Sequence, residues 1–184
     1  VLHMERQGNW GSATQVVRLE GEGMVELYVC SRPGRDEGDF LEQARSMYEN
    51  MHRLLQAQGA NPQDVITEKV FFSDVNRQFH DLQDIRWKCY NDVPHTPEYT
   101  PATLFLHQPP CRPGRLCELQ AYAAIPAAGS GMRVHGLEGL PGLASGKTVA
   151  HGGYRQLYLM NLTGEGDDFS AQAEDMFAQA EACL

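Results

Sequence analysis

The sequence predicts an α+β fold, a β-sheet with two helices packed on one face, and three observations lead there. Apolar residues recur at helical spacing in two segments, through Phe40, Ala44, Met47 and Met51 and through Phe79, Leu82, Ile85 and Cys89. The stretches around them, "TQVVRLEG", "MVELYVCS", "VITEKVFFSD", "ATLFLHQ" and "LCELQAYAAI", are short and rich in β-branched and aromatic residues. Gly, Pro, Asn and Asp gather at the joints between them.

In chain order, "TQVVRLEG" and "MVELYVCS" read as a hairpin closed around Gly21 and Gly23. Asp39 is placed to cap the first helix and Gly59 to stop it. After the turn "GANPQD" comes the strand "VITEKVFFSD", then the second helix, which the prolines of "HTPEYTP" break. "ATLFLHQ" follows as a strand, "PPCRPGR" as a loop and "LCELQAYAAI" as a long closing strand. The expected order up to Pro126 is β-β-α-β-α-β-β. Two helices cover one face of such a sheet, so the other must find cover elsewhere, and oligomerisation is the usual source.

Length and charge narrow the function. With 184 residues the chain can bury a sizeable core. No apolar run approaches a membrane span and no signal-peptide series is present, so a cytoplasmic protein without a membrane partner is expected. A net charge of -9 argues against a nucleic-acid partner, because phosphate-backbone affinity comes from clustered Lys and Arg. Five scattered cysteines lack zinc or redox spacing and read as reduced thiols. His107, His135 and His151 have no acidic or Cys partner at ligand spacing, so neither a metal nor a cofactor is expected. "PGLASGKT" ends like a phosphate-binding loop, but Pro141 stands where the first glycine should be.

The chain also repeats itself. "ELYVCSRPGRDEGDFLEQARSMY" and "QLYLMNLTGEGDDFSAQAEDMF" align Leu27-Tyr28 with Leu157-Tyr158, Phe40 with Phe169, and Gln43-Ala44 and Met47-Tyr48 with Gln172-Ala173 and Met176-Phe177. A first unit over 1–126, a Gly-rich linker and start of a second hairpin over 127–150, and the first strand and helix of a second, incomplete unit over 151–184 are therefore expected. Sharing by both copies favours core packing for Tyr28, Tyr158, Tyr48 and Phe177.

From about Leu27 to Pro126, through "QARSMYENMHRLLQAQGANPQDVITEKVFFSD", Pro101-Ala102 and "LCELQAYAAI", the chain resembles the YjgF/RidA superfamily, also called endoribonuclease L-PSP or translation-inhibitor-like proteins. The resemblance implies a chorismate-mutase-like α+β fold, a trimer or pseudo-trimer, and small-molecule clefts between subunits. Better-known members hydrolyse reactive imines and enamines, using an arginine directly after Pro-Ala to clamp the substrate carboxylate and a glutamate on the last strand to position water or shuttle protons. The glutamate is matched by Glu118, whereas Thr103 stands at the arginine position and offers a hydroxyl. Glu118 and Thr103 are thus the candidate catalytic residues, and Ser31, Phe72, Arg115 and Cys111 the candidate ligand-binding ones. Arg115 or Arg112 is placed to supply a replacement cation, and Cys111 is a thiol beside that basic loop. The expected function is binding or transformation of an imine, enamine or carbonyl metabolite. A non-catalytic scaffold is the alternative, as is an enzyme like the chorismatases, which resemble two fused units of this kind. Ribonuclease activity is disfavoured by the acidic charge.

Overall fold

The computed structural model describes residues 3–8, 13–21, 23–90, 100–140, 142 and 144–184. Strands β1 (His3–Gln7), β2 (Thr14–Glu20) and β3 (Met24–Ser31) lead into helix α1 (Phe40–Ala57), then β4 (Val65–Phe72), α2 (Val75–Tyr90), β5 (Ala102–His107) and β6 (Cys117–Pro126). These six strands form one sheet in the order β1-β2-β3-β6-β4-β5, antiparallel except where β4 runs parallel to β5. The two expected helices pack on one face of it. Prolines proposed to break α2 fall partly outside the described residues, since Pro97 lies there and Pro101 does not.

Alternation along β6 sorts the two faces. Cys117, Leu119, Ala121 and Ala123 join the core under the helices with Leu27, Val29, Tyr48, Met51, Phe72 and Leu82. Their neighbours Glu118, Gln120 and Tyr122 point to the opposite, open face. Helix α1 begins at a capping box, in which the Asp39 side chain accepts from the Glu42 amide and Glu42 reaches back to the Asp39 amide. Tyr48 of α1 is fully buried, edge-on to Tyr90 at 6.2 Å, and its hydroxyl has no hydrogen-bond partner among the described residues. Tyr48→Phe is therefore expected to be neutral or stabilising by up to ~1 kcal/mol in urea denaturation, because an unsatisfied hydroxyl is removed without a cavity. A loss of stability would show that the hydroxyl is paired after all.

Beyond Pro126, β7 (Arg133–Gly136), β8 (Ser145–His151) and β9 (Tyr154–Met160) form a separate antiparallel sheet, and α3 (Phe169–Glu181) follows. The segment expected as linker and start of a second hairpin holds β7 and most of β8. β1 differs from the expected order: its five residues, polar except for Met4, are all exposed and lie at the sheet edge, where no alternation is imposed by a core.

The local geometry of the first strands recurs in the second sheet. Arg6, Val17 and Tyr28 stand in one cross-strand row of β1-β2-β3, and Gly136, Lys147 and Tyr158 in the corresponding row of β7-β8-β9. Asp168 caps α3 by accepting from the Ala171 amide, as Asp39 does for α1. Gln172 Nε2 donates to the Gly166 carbonyl, the counterpart of Gln43 donating to Gly38.

This second sheet covers part of the open face of the first, so the chain itself supplies some of the cover that the sequence assigned to oligomerisation. Ile66, Tyr122 and Ala124 meet Val149, Val134 and Tyr158 there. Tyr28, Tyr122 and Tyr158 stack in a ladder with ring centroids 5.2 and 5.6 Å apart; Tyr158 packs between the sheets, and Tyr28 stands half-exposed on the open face rather than under the helices. Tyr122 donates to Glu26 at 2.8 Å. At the turn before β3, Gly23 has a positive φ of 89°, and a Cβ there would run into the His151 ring. Lys147, fully buried, donates its Nζ to the Val65 carbonyl at 2.8 Å and so pins β8 to the start of β4. Its place within a strand also accounts for "SGKT" without a phosphate loop.

Candidate functional site

Charged groups converge where β3 and β6 end side by side. The chain leaves β3 at Ser31, and Arg32 is fixed by its amide donating to the Ala13 carbonyl and by Asn50 donating to its own carbonyl at 2.7 Å. Arg32 Nε donates to Glu118 Oε2 at 2.8 Å, and Arg115 approaches the same oxygen at 3.9 Å. Asp36 closes the far side by pairing with Arg115 at 2.9 Å and Arg112 at 2.6 Å, which ties the loop after β3 to the loop before β6. Gln43 fastens that second loop from α1: its side chain donates to the Gly114 carbonyl and accepts from the Leu116 amide, each at 2.9 Å.

The result is a cavity of about 460 Å³ lined by Arg32, Phe71, Pro109, Cys111, Arg115 and Glu118, among others. Glu118 is held between two guanidinium groups while Arg32 uses only Nε in its pair, which leaves its two Nη groups for a bound anion. The Cys30 thiol lies 3.5 Å from Glu118 Oε1, and burial, with the Glu118 charge second, pushes it up to about 11. It is therefore a protonated donor at neutral pH rather than a nucleophile. Cys117 is pushed up to about 12, chiefly by burial, and packs in the core.

The residues singled out from sequence separate into three places. Glu118, Arg115 and Cys111 share this cavity. Ser31 and Phe72 point the other way, into the helix-side core: Ser31 donates to the Met47 carbonyl at 2.6 Å, and Phe72 packs on Phe40 and Phe105. Both are fully buried, so neither reaches a ligand in the cleft.

Thr103 is also on the helix side, because it pairs with Glu68 and Glu68 pairs with Ala121. Its hydroxyl accepts from Arg86 and lies 2.9 Å from Glu68 Oε1, inside a buried ion pair of Arg86 with Glu68. Tyr90 donates to the other Glu68 oxygen at 2.6 Å, and burial followed by the Glu68 charge pushes its phenol well above the usual range. The second sheet joins in: Ser145 Oγ accepts from the Thr103 amide at 2.8 Å, and Asn161, in the left-handed conformation at φ 54°, donates to the Thr103 carbonyl. The hydroxyl expected to meet a substrate is thus engaged in structure.

Sequence patterns single out neither Arg32 nor the Glu68–Arg86 pair. For Arg32 a signal existed, an arginine directly after a strand whose partner strand carries Glu118. For Glu68 and Arg86 the partners sit on a strand and a helix with no local pattern joining them. Among the described residues no group of three His, Cys, Asp or Glu is placed to hold a metal ion, and no helix is long and apolar enough to cross a membrane.

An α+β domain with helices on one sheet face and a charged cleft at the start of its closing strand defines the class of protein. The chain belongs to the endoribonuclease L-PSP family, whose profile matches residues 28–125. It is 31% identical over 67 residues to the RutC family protein YjgH of Escherichia coli (strain K12), a match that takes in 36% of this chain, and it spans about half the length of that relative. Among solved structures it is similar to a Salmonella typhimurium protein at 18% identity and a TM-score of 0.54, covering 66% of this chain and 97% of the other. It is likewise similar to Rv2704 of Mycobacterium tuberculosis, a member of the YjgF/YER057c/UK114 family, at 16% identity and a TM-score of 0.50, covering 68% and 100%. At these identities the likeness is one of fold, and the fold is that of the YjgF proteins.

Proposed function

We propose that the protein binds a small imine, enamine or carbonyl metabolite carrying an anionic group in the Glu118 cavity, with Arg32 and Arg115 taking the place of a clamp at Thr103. The observation that carries this reading is the convergence of two arginines on Glu118 in a cavity of metabolite size. An anion drawn to the Arg32 Nη groups competes with Glu118 for the guanidinium charge, and this frees the carboxylate to accept a proton from water attacking the bound carbon. Hydrolysis of 2-aminoacrylate-type imines tests it. Glu118→Gln is expected to lower the rate by about 100-fold or more, and an unchanged rate removes the role of Glu118.

A binding or scaffold role without chemistry is the second reading, and the burial of Thr103 in the Glu68–Arg86 pair favours it. A thermal-shift screen with small keto acids separates the two: stabilisation that Arg32→Ala abolishes supports the cleft, and no stabilisation by any of them supports the scaffold. In either reading the β7–α3 segment is a second copy of the β1–α1 unit, placed against the open face as a neighbouring subunit would be. A further open-face groove of about 610 Å³, lined by Tyr28, Lys69 and Tyr158 among others, is where a homo-oligomer would add its own cover. The expected setting is the cytoplasm.

A further inference from the structure

Helix α3 has 13 residues and none of them is buried. A helix of that length is marginal in water without an apolar face to bury, and α3 has such a face: Phe169 and Phe177 are 87% and 64% exposed. At the corresponding positions of α1, Phe40 and Tyr48 are 8% and 0% exposed, because α1 lies over β3 and β6. β3 has β6 along its outer edge, with Tyr28 opposite Tyr122. β9, its counterpart, is the outer strand of its sheet and has no strand on that edge among the described residues. A third difference completes the set. Gln43 clasps the loop entering β6 through Gly114 and Leu116, while among the described residues the Gln172 side chain bonds only the Gly166 carbonyl.

We propose that the β9 edge, the exposed face of α3 and the Gln172 amide form one docking site for a polypeptide segment of β6 type. Such a segment is a short loop followed by an antiparallel strand with small apolar side chains at alternate positions. The strand continues the sheet beyond β9 and sets a residue opposite Tyr158. Its alternate Ala, Cys or Leu side chains fill the space beneath Phe169 and Phe177, and its leading loop offers one carbonyl and one amide to Gln172. The choice of segment rests on reading β7–α3 as a second copy of the first unit, and it is independent of the Glu118 cleft. A helix partner, or a second copy of α3, would cover Phe177 but would leave both the β9 edge and Gln172 unmet.

The test adds a synthetic peptide with the sequence of residues 112–126, carrying Cys117→Ser, to the 184-residue chain. Hydrogen exchange is followed by mass spectrometry. Exchange is expected to slow at least about 10-fold in both β9 and α3 at saturating peptide. A scrambled peptide should have no effect, and Phe177→Asp or Gln172→Ala should weaken binding at least about 10-fold. Circular dichroism and unchanged exchange in β3 and β6 confirm that the variants are folded. Unchanged β9 exchange at millimolar peptide overturns the proposal. So does protection of α3 without β9, or concentration-dependent dimerisation that Phe177→Asp abolishes, since these assign the face to a helix or to a second copy. Imine hydrolysis and its Glu118→Gln control are measured without peptide, so failure at β9 and failure of the cleft reading are told apart.

Discussion

Glu68→Ala is expected to destabilise the protein by about 3–5 kcal/mol, the range for removing one partner of a buried ion pair. The substitution leaves the Arg86 guanidinium buried with, among the described residues, only Thr103 and the Pro101 carbonyl to satisfy it, and takes from the Tyr90 hydroxyl its Glu68 acceptor. Arg86 also lies near the rings of Trp87, Tyr90 and Phe105, between 5.0 and 5.8 Å from their centroids, so it cannot swing to solvent without opening the α2–β5 contact. Replacing both members, as Glu68→Leu with Arg86→Met, is expected to recover most of the loss, because the two desolvation costs disappear together. Urea denaturation of the two single variants and the double variant forms the cycle. A double variant no more stable than Glu68→Ala would mean that the pair is worth more than its burial costs.

The second large effect concerns the junction of the two sheets. Burial holds Lys147 down to about 8, against an ordinary lysine value of about 10.4. Below pH 8 both folded and unfolded chains carry the proton, and the cost of burying the charge is fully present. Between the two values the unfolded chain binds a proton that the folded chain does not, so this group makes the protein more stable as pH rises. Relative to Lys147→Met, the wild type should gain up to about 1.4 kcal/mol per pH unit in that window. Cys30 pushed up to about 11, and Cys89 and Cys117 up to about 12, act in the opposite sense. Above the ordinary thiol value of about 8.5 they are lost from the unfolded chain first, and stability falls in wild type and variant alike. Denaturation curves for both proteins from pH 7 to 10.5 isolate the lysine contribution by difference. A constant difference would show that Lys147 reaches water.

Local pattern made most of the fold legible. The helical spacing of α1 and α2, the Asp39 cap and the five strands from Thr14 to Pro126 follow from side chains that must be sorted onto two faces of each element. What alternation could not supply was the direction of each face. "FF" at Phe71-Phe72 must put one ring on each side, and only the pairing of Phe72 with Cys117 and Phe71 with Glu118 shows which goes where. For the same reason Thr103 and Glu118, joined on paper by a family likeness, point to opposite sides of the sheet. Arg86 is legible only after folding, since it finds its carboxylate between a helix and a strand, whereas Arg32 directly follows a strand whose partner carries Glu118. β1 has no sequence signature because its five exposed residues at the sheet edge carry no alternation imposed by a core.

The Asp36 bridge between the two loops has an electrostatic consequence for anything that enters the cleft. Over the whole chain the charge is -9, so an approaching anion is repelled at long range. Around Glu118 the balance reverses: Arg32, Arg112 and Arg115 against Asp36 and Glu118 make three positive charges to two negative, a local excess of one. With a Debye length of about 8 Å at physiological ionic strength, that small positive island is what an anion senses once it reaches the mouth, while the acidic remainder of the surface is screened from view. Salt thus acts on this protein as an admission control: it hides the repelling exterior more completely than it hides the arginines inside.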